Sequence, residues 1–305
     1  MKNVGEATWV SSAPINVSVF ALSHVGRIRK NNEDNFVVCN LTTGEIGLTP
    51  ALQNHRLGHS GSLLMVADGM GGEASGEVAS QICTVTVPKR LYDNLKSMET
   101  PTEEDFVSLL CESIEYANHI IFQKAQTDPA FHGMGTTTTA AALLASHLFV
   151  AQVGDSRAYL IRNQQMTQLT RDQTFLNYLQ DIGAEMPAEP EKDSRRSILT
   201  QAVGSSESVD VKVSSTRVQE GDGILLCSDG LYNMVRPSEM LEIVTRPVAL
   251  SEKCQALIHT ANENGGTDNV TVVLSELSGE GLRSADPTAQ VEVKEFKSSE
   301  PATGK

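Results

Sequence analysis

The feature that most constrains this chain is a set of short, very apolar runs that each meet an aspartate. Three of them, LLMVADGMGG, LFVAQVGDSR and ILLCSDGLYN, end at Asp68, Asp155 and Asp229. In GGTDNVTVV the order is reversed, and Asp268 stands just before the strand. A further acidic pair, Glu33 and Asp34 in NNEDNF, also precedes a strand-like run. An apolar run as short as SLLMVA reads as a strand buried on both faces. Aspartate is depleted in strands and costly to bury unpaired. One Asp-Gly at a strand end is ordinary turn chemistry. Several in one chain, each beside an apolar strand, imply strand ends that lie side by side with their carboxylates converging.

A converged carboxylate cluster repels itself unless cations neutralise it. Hard divalent ions with oxygen ligands meet that need, and Mg²⁺ or Mn²⁺ suits a few carboxylates supplemented by water. Gly69, Gly71 and Gly72 let the backbone approach an ion and offer a carbonyl as ligand. The same glycine run fits no nucleotide loop: it lacks GxxxxGK[ST], and Ala74 stands where a GxGxxG motif needs its last glycine. Arg29 lies five residues before Asp34. Beside two metals, its planar guanidinium is suited to gripping two oxygens of a phosphate.

The remaining sequence bounds the architecture. With 40% hydrophobic and 20% charged residues in 305, the chain is globular. A net charge of −14 and the absence of a basic patch exclude a nucleic-acid surface. No run reaches the ~18–20 apolar residues of a membrane span, and the N-terminus has no signal-peptide pattern. Cys39, Cys83, Cys111, Cys227 and Cys254 are widely spaced and form no CxxC pair, so they read as free thiols in a reducing cytoplasm. His55 and His59, four apart in a Gly-rich loop, read as loop residues rather than ligands.

Residues 1–16 are expected to be a flexible leader, 17–277 one catalytic domain, and 278–305 a disordered polar tail. Within the domain, helices are expected at Glu77–Lys96, at Thr102–Gln126 behind a capping box, and across Pro237–Asn264. The order of strands, helices, strands, helices, strand lacks βαβα alternation. It predicts an α+β domain in which antiparallel strands stack as sheets and helices cover the outside.

Seven stretches, in order, resemble the metal-dependent protein phosphatase family of type 2C in its bacterial form. They are SHVGRIRKNNEDNF, VADGMGGEASGEVAS, GMGTTTTAAAL, VAQVGDSRAYLIR, LTQAVGS, LLCSDGLYNMV and GGTDNVTVVL. The resemblance implies a four-layer α-β-β-α sandwich of two antiparallel sheets flanked by helices. It implies a monomeric, cytoplasmic serine/threonine phosphatase that uses two Mn²⁺ or Mg²⁺ ions, with a weaker third. Asp34, Asp68, Asp229 and Asp268 match the ligands of the central metal pair, with Asp68 as the bridge and the Gly69 carbonyl on one ion. Glu33 matches a carboxylate that holds metal-bound water, and Asp155 a third-ion ligand shared with Asp229. Arg29 matches the phosphate-binding arginine, Thr136 lies on a strand beside the site, and residues 172–197 match a flap bordering it. The expected partners are phosphoserine and phosphothreonine proteins made by a cognate kinase, with no nucleic acid and no membrane.

The chain departs from the family pattern at three places. Met70 and Glu73 replace histidines found in animal and bacterial relatives respectively, leaving Glu73 as the candidate general acid. Asn233 stands where many members have Asp, which removes a charge from the third metal site. The alternative reading is a pseudophosphatase that regulates a partner, and retention of all four central aspartates favours an enzyme.

Overall fold

A computed structural model describes residues 13–71, 75–98, 101–187, 189, 193–286 and 288–296. The chain begins with β1 (Asn16–His24), β2 (Asp34–Asn40), β3 (Glu45–Ile46), α1 (Pro50–Gln53), β4 (Asn54–Arg56) and β5 (Ser62–Met70). Two long helices follow, α2 (Ser75–Leu95) and α3 (Glu103–Thr127). Next come β6 (Gly135–Thr136), β7 (Thr138–Leu144), β8 (His147–Val153), β9 (Arg157–Arg162), β10 (Gln165–Gln168) and α4 (Phe175–Asp181). The last elements are β11 (Lys212–Arg217), β12 (Gly223–Cys227), α5 (Asp229–Tyr232), α6 (Pro237–Val244), α7 (Leu250–Glu263), β13 (Val270–Ser278) and β14 (Lys294–Phe296).

These strands make two antiparallel sheets. One has the order β10-β9-β12-β13-β1-β4, the other β14-β11-β8-β7-β5-β2-β3, with β6 attached to β5. The inner faces of both sheets share a dry core that includes Val19, Val38, Leu64, Val66, Val150, Leu226 and Val273. The outer face of the second sheet packs on α2 and α3. The outer face of the first packs on α5, α6 and α7. The molecule is therefore the four-layer α-β-β-α sandwich expected. Because the central strands are covered on both faces, β5, β7, β8 and β12 are buried almost throughout, which is why they read as continuous apolar runs.

Local chemistry accounts for the helix limits. Thr102 caps α3: its hydroxyl accepts from the Asp105 amide at 3.1 Å, and the Asp105 carboxylate accepts from the Thr102 amide at 3.0 Å. The stripe Phe106, Leu110, Ile114, Ala117 and Ile121 is buried against the sheet. The expected helix across 237–264 is two helices: Pro247 lies between α6 and α7, where it supplies no N–H to continue α6 and its ring crowds the preceding turn.

The expectation of a polar tail from residue 278 is corrected over its described part. Leu282 is buried in the core between the sheets, and Val291 packs on that core. β14 pairs with β11 in the register Val213↔Phe296. Leu282, Val291, Val293 and Phe296 are scattered among polar residues, and the alternation in VEV is too short to read as a strand. At the other end, Ile15 is buried and its carbonyl accepts from the Leu57 amide at 2.8 Å, and Asn16 opens β1, so the leader expectation fails for residues 13–16 and for 1–12 lies outside the described residues.

Phe149 of β8 joins helix, sheet and C-terminal segment, with ring centroids 5.1 Å from Phe106 and 6.4 Å from Phe296. Phe149→Ala should lose about 3–5 kcal/mol through lost burial and a cavity. Urea unfolding would read this as a lower midpoint at unchanged slope, and an unchanged midpoint would disprove this role for the ring.

Candidate metal centre

Antiparallel pairing creates the site. Asp34 opens β2 and Asp68 lies near the end of β5, and the register makes them direct partners. Asp229 follows the end of β12, and Asp268 precedes the start of the neighbouring β13. Each sheet thus presents two aspartates, one on an outgoing strand and one on an incoming strand. The simpler expectation of strand ends within one sheet is replaced by a convergence between two sheets at one end of the sandwich. Asp155 joins from the turn after β8.

The electrostatics show how close this convergence is. Burial raises the Asp34 carboxyl well above the ordinary carboxylate range, and the charges of Asp229 and Asp268 raise it further. Asp68 keeps part of its surface open to the crevice, yet burial and then the charges of Asp34, Asp229, Asp155 and Asp268 also push it up. Asp229 is raised by burial and next by Asp155 and Asp268, while Arg29 and Arg196 oppose the shift. Asp155 is raised to about 6, first by burial and then by Asp172. Glu33 is raised by burial, with Arg29 opposing.

Hydrogen bonds set the orientation of these groups. Ser228 donates to Asp34 Oδ2 at 2.7 Å, while Asp34 Oδ1 is buried without a hydrogen-bond partner. Arg29 donates to Asp268 Oδ2 at 2.7 Å, and this bond raises the guanidinium pKa. Asn233 donates to Asp229 Oδ2 at 3.1 Å. The Gly69 amide donates to the Glu33 carbonyl at 3.1 Å, and a Cβ on Gly69 would meet the Gly76 carbonyl at 2.2 Å. The Thr136 hydroxyl donates to the Asp68 carbonyl at 3.0 Å, so it braces the strand that carries Asp68. Tyr232 donates to the Asp155 carbonyl at 3.1 Å and lies under the Arg157 guanidinium, which grips Asp172 at the start of the 172–197 segment. Met70 is exposed, and Glu73 lies outside the described residues.

The donor set fits hard divalent cations: a buried, unpartnered carboxylate oxygen, further carboxylates within one another's field, and a glycine backbone packed so tightly that no side chain fits. Among the described residues, no three Asp, Glu, His or Cys side chains are already closed into a ligand shell. Several of the carboxylate oxygens are instead held by Ser228, Arg29 and Asn233.

Three residues of the site were not singled out from the sequence. Asn269 accepts from the Glu33 amide at 2.8 Å and donates to the carbonyls of Val25 and Asn31, both at 2.9 Å, so it ties down the loop bearing Arg29, Glu33 and Asp34. Ser228 bonds Asp34 and also accepts from the Thr271 amide at 3.0 Å, joining the two sheets. Gly76 leaves space for Glu33, whose Cδ would lie 2.9 Å from a Cβ there. The available signal was a polar residue directly beside a chosen aspartate, as in SDG and TDN.

The family model for protein phosphatase 2C matches residues 51–274. The chain belongs to the protein phosphatase 2C family. Protein phosphatase PhpP of Streptococcus pneumoniae is 32% identical over 265 residues, which cover 87% of this chain and 99% of that protein. The serine/threonine phosphatase stp of Listeria innocua is 37% identical over 252 residues, covering 82% and 92%. The solved catalytic domain of serine/threonine protein phosphatase PstP in complex with two manganese ions superposes with a TM-score of 0.68 at 32% identity, covering 87% of this chain and 99% of that one. As a type 2C protein, the chain gathers its acidic residues where the two sheets meet.

The raised carboxyls have a consequence for stability. A group with a raised folded-state pKa binds more protons folded than unfolded, so stability falls as pH rises across the gap. In EDTA, the folded protein should lose stability as pH rises from the ordinary carboxylate value of 3.8 to about 6 and beyond. Asp34→Asn should raise the urea midpoint in EDTA near neutral pH, because it removes a buried charge that repels its neighbours. A lower midpoint for that variant would show that Asp34 is stabilising and refute this account.

Proposed function

We propose that Asp34, Asp68, Asp229 and Asp268, with the Gly69 carbonyl, hold two divalent ions, Mn²⁺ or Mg²⁺, and that Glu33 orients water beside them. The chain is a protein serine/threonine phosphatase, which hydrolyses phosphoserine and phosphothreonine. The observation that supports this placement best is the meeting of two aspartates from each sheet, all within one electrostatic cluster. Bound ions supply Lewis acidity and lower the pKa of water, so that a nucleophile exists near neutral pH.

The chain's own residues do the rest. Arg29 is exposed at the rim, and the guanidinium that bonds Asp268 is in reach of a phosphate entering the crevice. Its fork grips two phosphate oxygens and holds phosphorus in line with the attacking water. The water oxygen bonds to phosphorus as the bond to the serine or threonine oxygen breaks, and a proton passes to that oxygen. Glu73 is proposed as the donor of that proton. No cysteine takes part: burial pushes the Cys39, Cys83 and Cys227 thiols up to about 12, which removes the thiolate a nucleophile needs. Asp155 with Asp229 is proposed for a third, weaker ion, beside which Asn233 supplies a hydrogen bond rather than a charge.

The proposed substrates are proteins phosphorylated by a cognate kinase, and the protein is proposed to act as a cytoplasmic monomer. Among the described residues, no helix is long and apolar enough to cross a membrane. Retention of all four central aspartates favours the enzyme over the pseudophosphatase reading, whose only support is Glu73 and Asn233 in place of the family's His and Asp.

Phosphate release from an aryl phosphate and a phosphothreonine peptide should require Mn²⁺ and stop in EDTA. Asp34→Ala and Asp229→Ala should each lower kcat by at least about 10²–10³-fold, the scale of a lost preorganised charge interaction. Arg29→Ala should weaken kcat/KM by about tenfold or more, the scale of a charge-assisted bond. Undiminished turnover by folded Asp229→Ala would overturn the ligand assignment.

A further inference from the structure

A second cavity, of about 570 Å³, opens far from the carboxylate crevice. Its walls come from the His147 end of β8, the Arg217 end of β11, and the returning segment before β14. β8 runs from this cavity at His147 to Val153, beside Asp155. At ~3.3 Å per residue the two sites are roughly 20 Å apart, at opposite ends of the same sheet. The volume lies within the ~300–1,000 Å³ range of small-molecule sites.

The charges lining the cavity are unevenly matched. Arg162 is fully committed, donating to Asp222 Oδ1 at 2.9 Å and Oδ2 at 2.6 Å. Lys294 pairs with Glu103 at 3.0 Å. Arg217 and Arg283 are both exposed, and no carboxylate forms an ion pair with either among the described residues. Glu292 is the other acidic residue of the lining. In a chain of net charge −14, two cations in one cavity with no carboxylate partner among the described residues run against the overall balance.

Arg217 is also oriented. Its Nε donates to His147 Nε2 at 3.1 Å, which requires the proton of the ring to sit on Nδ1. Burial and the neighbouring Arg217 charge keep that ring neutral. A neutral imidazole that accepts from Nε restrains the guanidinium through Nε and leaves the terminal amino groups out of that bond. Arg283 is held by its backbone, since its carbonyl accepts from the Glu220 amide at 2.9 Å.

We propose that this cavity binds a phosphate group between Arg217 and Arg283. A phosphate monoester carries about −1.5 to −2 charge at neutral pH, which matches two guanidinium groups, and its oxygens suit their forked donors. The site is independent of the carboxylate crevice and does not rest on the metal assignment. Its phosphate comes either from solution or from a phosphorylated protein that reaches beyond the crevice.

The test is calorimetric titration of the full chain in EDTA, which keeps divalent ions out of the crevice. The probes are inorganic phosphate, a phosphothreonine peptide and the same peptide unphosphorylated. Wild type should bind a phosphate-bearing probe saturably and ignore the unphosphorylated peptide. The Arg217→Gln/Arg283→Gln double variant should bind at least about tenfold more weakly, the scale of a lost charge-assisted bond. Its urea midpoint and its Mn²⁺-dependent turnover of an aryl phosphate should stay within about twofold of wild type, since neither arginine touches the crevice. Peptide binding tighter than inorganic phosphate would assign the site to a phosphoprotein, and equal binding to free phosphate, either outcome supporting phosphate recognition. No saturable binding by wild type, or unchanged binding by the folded double variant, would overturn the proposal.

Discussion

The repulsion among Asp34, Asp68, Asp229 and Asp268, enforced in a partly dry crevice, is the constraint around which the molecule is arranged. Free carboxylates would separate or take up protons. Here they are held by elements that cannot move apart without opening the core between the sheets. β2 and β5 fix one pair by register, and β12 and β13 fix the position of the other. The two-sheet core thus stores an electrostatic penalty at its end, and a divalent cation is the partner that relieves it. Stability and function oppose one another at these residues, as is common where a site is built from groups that destabilise the empty fold.

Neutral side chains hold this arrangement in place. Asn269, buried at the start of β13, spans three backbone groups of the loop that carries Arg29, Glu33 and Asp34. Ser228 ties Asp34 to the opposite sheet through Thr271. Thr136 and Thr137 brace β5 from the adjacent strand, both bonding the Asp68 carbonyl. None carries charge, so none adds to the repulsion, while each removes freedom from a carboxylate of the cluster or from its strand. Arg29 stands apart from these as a charged group: it pairs with Asp268 at 2.7 Å and is exposed, so it offsets part of the repulsion from the rim of the cluster.

The sandwich was legible where burial is two-sided. Runs such as SLLMVA and GILLC announce central strands because both faces are covered, and α3 announces itself by a stripe and a capping box. β11 was not legible. Its sequence KVSSTR looks like a polar turn, yet Ser214, Ser215 and Thr216 are buried because the sheet is covered on both faces, with the Ser215 hydroxyl donating to Glu103 of α3 at 3.2 Å. The C-terminal return was missed for a related reason: Leu282, Val291 and Phe296 anchor it singly, and single anchors have no period. Of the site, the aspartates were legible because an acid beside an apolar strand is out of place. Asn269, Ser228 and Gly76 are ordinary residues for turns and helix starts, and their importance depends on what faces them.

By itself, the sequence determined which residues carry charge into the interior, since burial patterns and acid positions are local properties of the chain. It also determined the family, because seven motifs in order leave little freedom for another arrangement. Only the tertiary structure decided that the aspartates come two from each sheet, that Arg29 bonds Asp268, and that Arg217 and Arg283 share a cavity at the far end. Those facts depend on register and on the packing of one sheet against the other. Both arise from contacts between residues as far apart as Arg29 and Asp268, which no local pattern encodes.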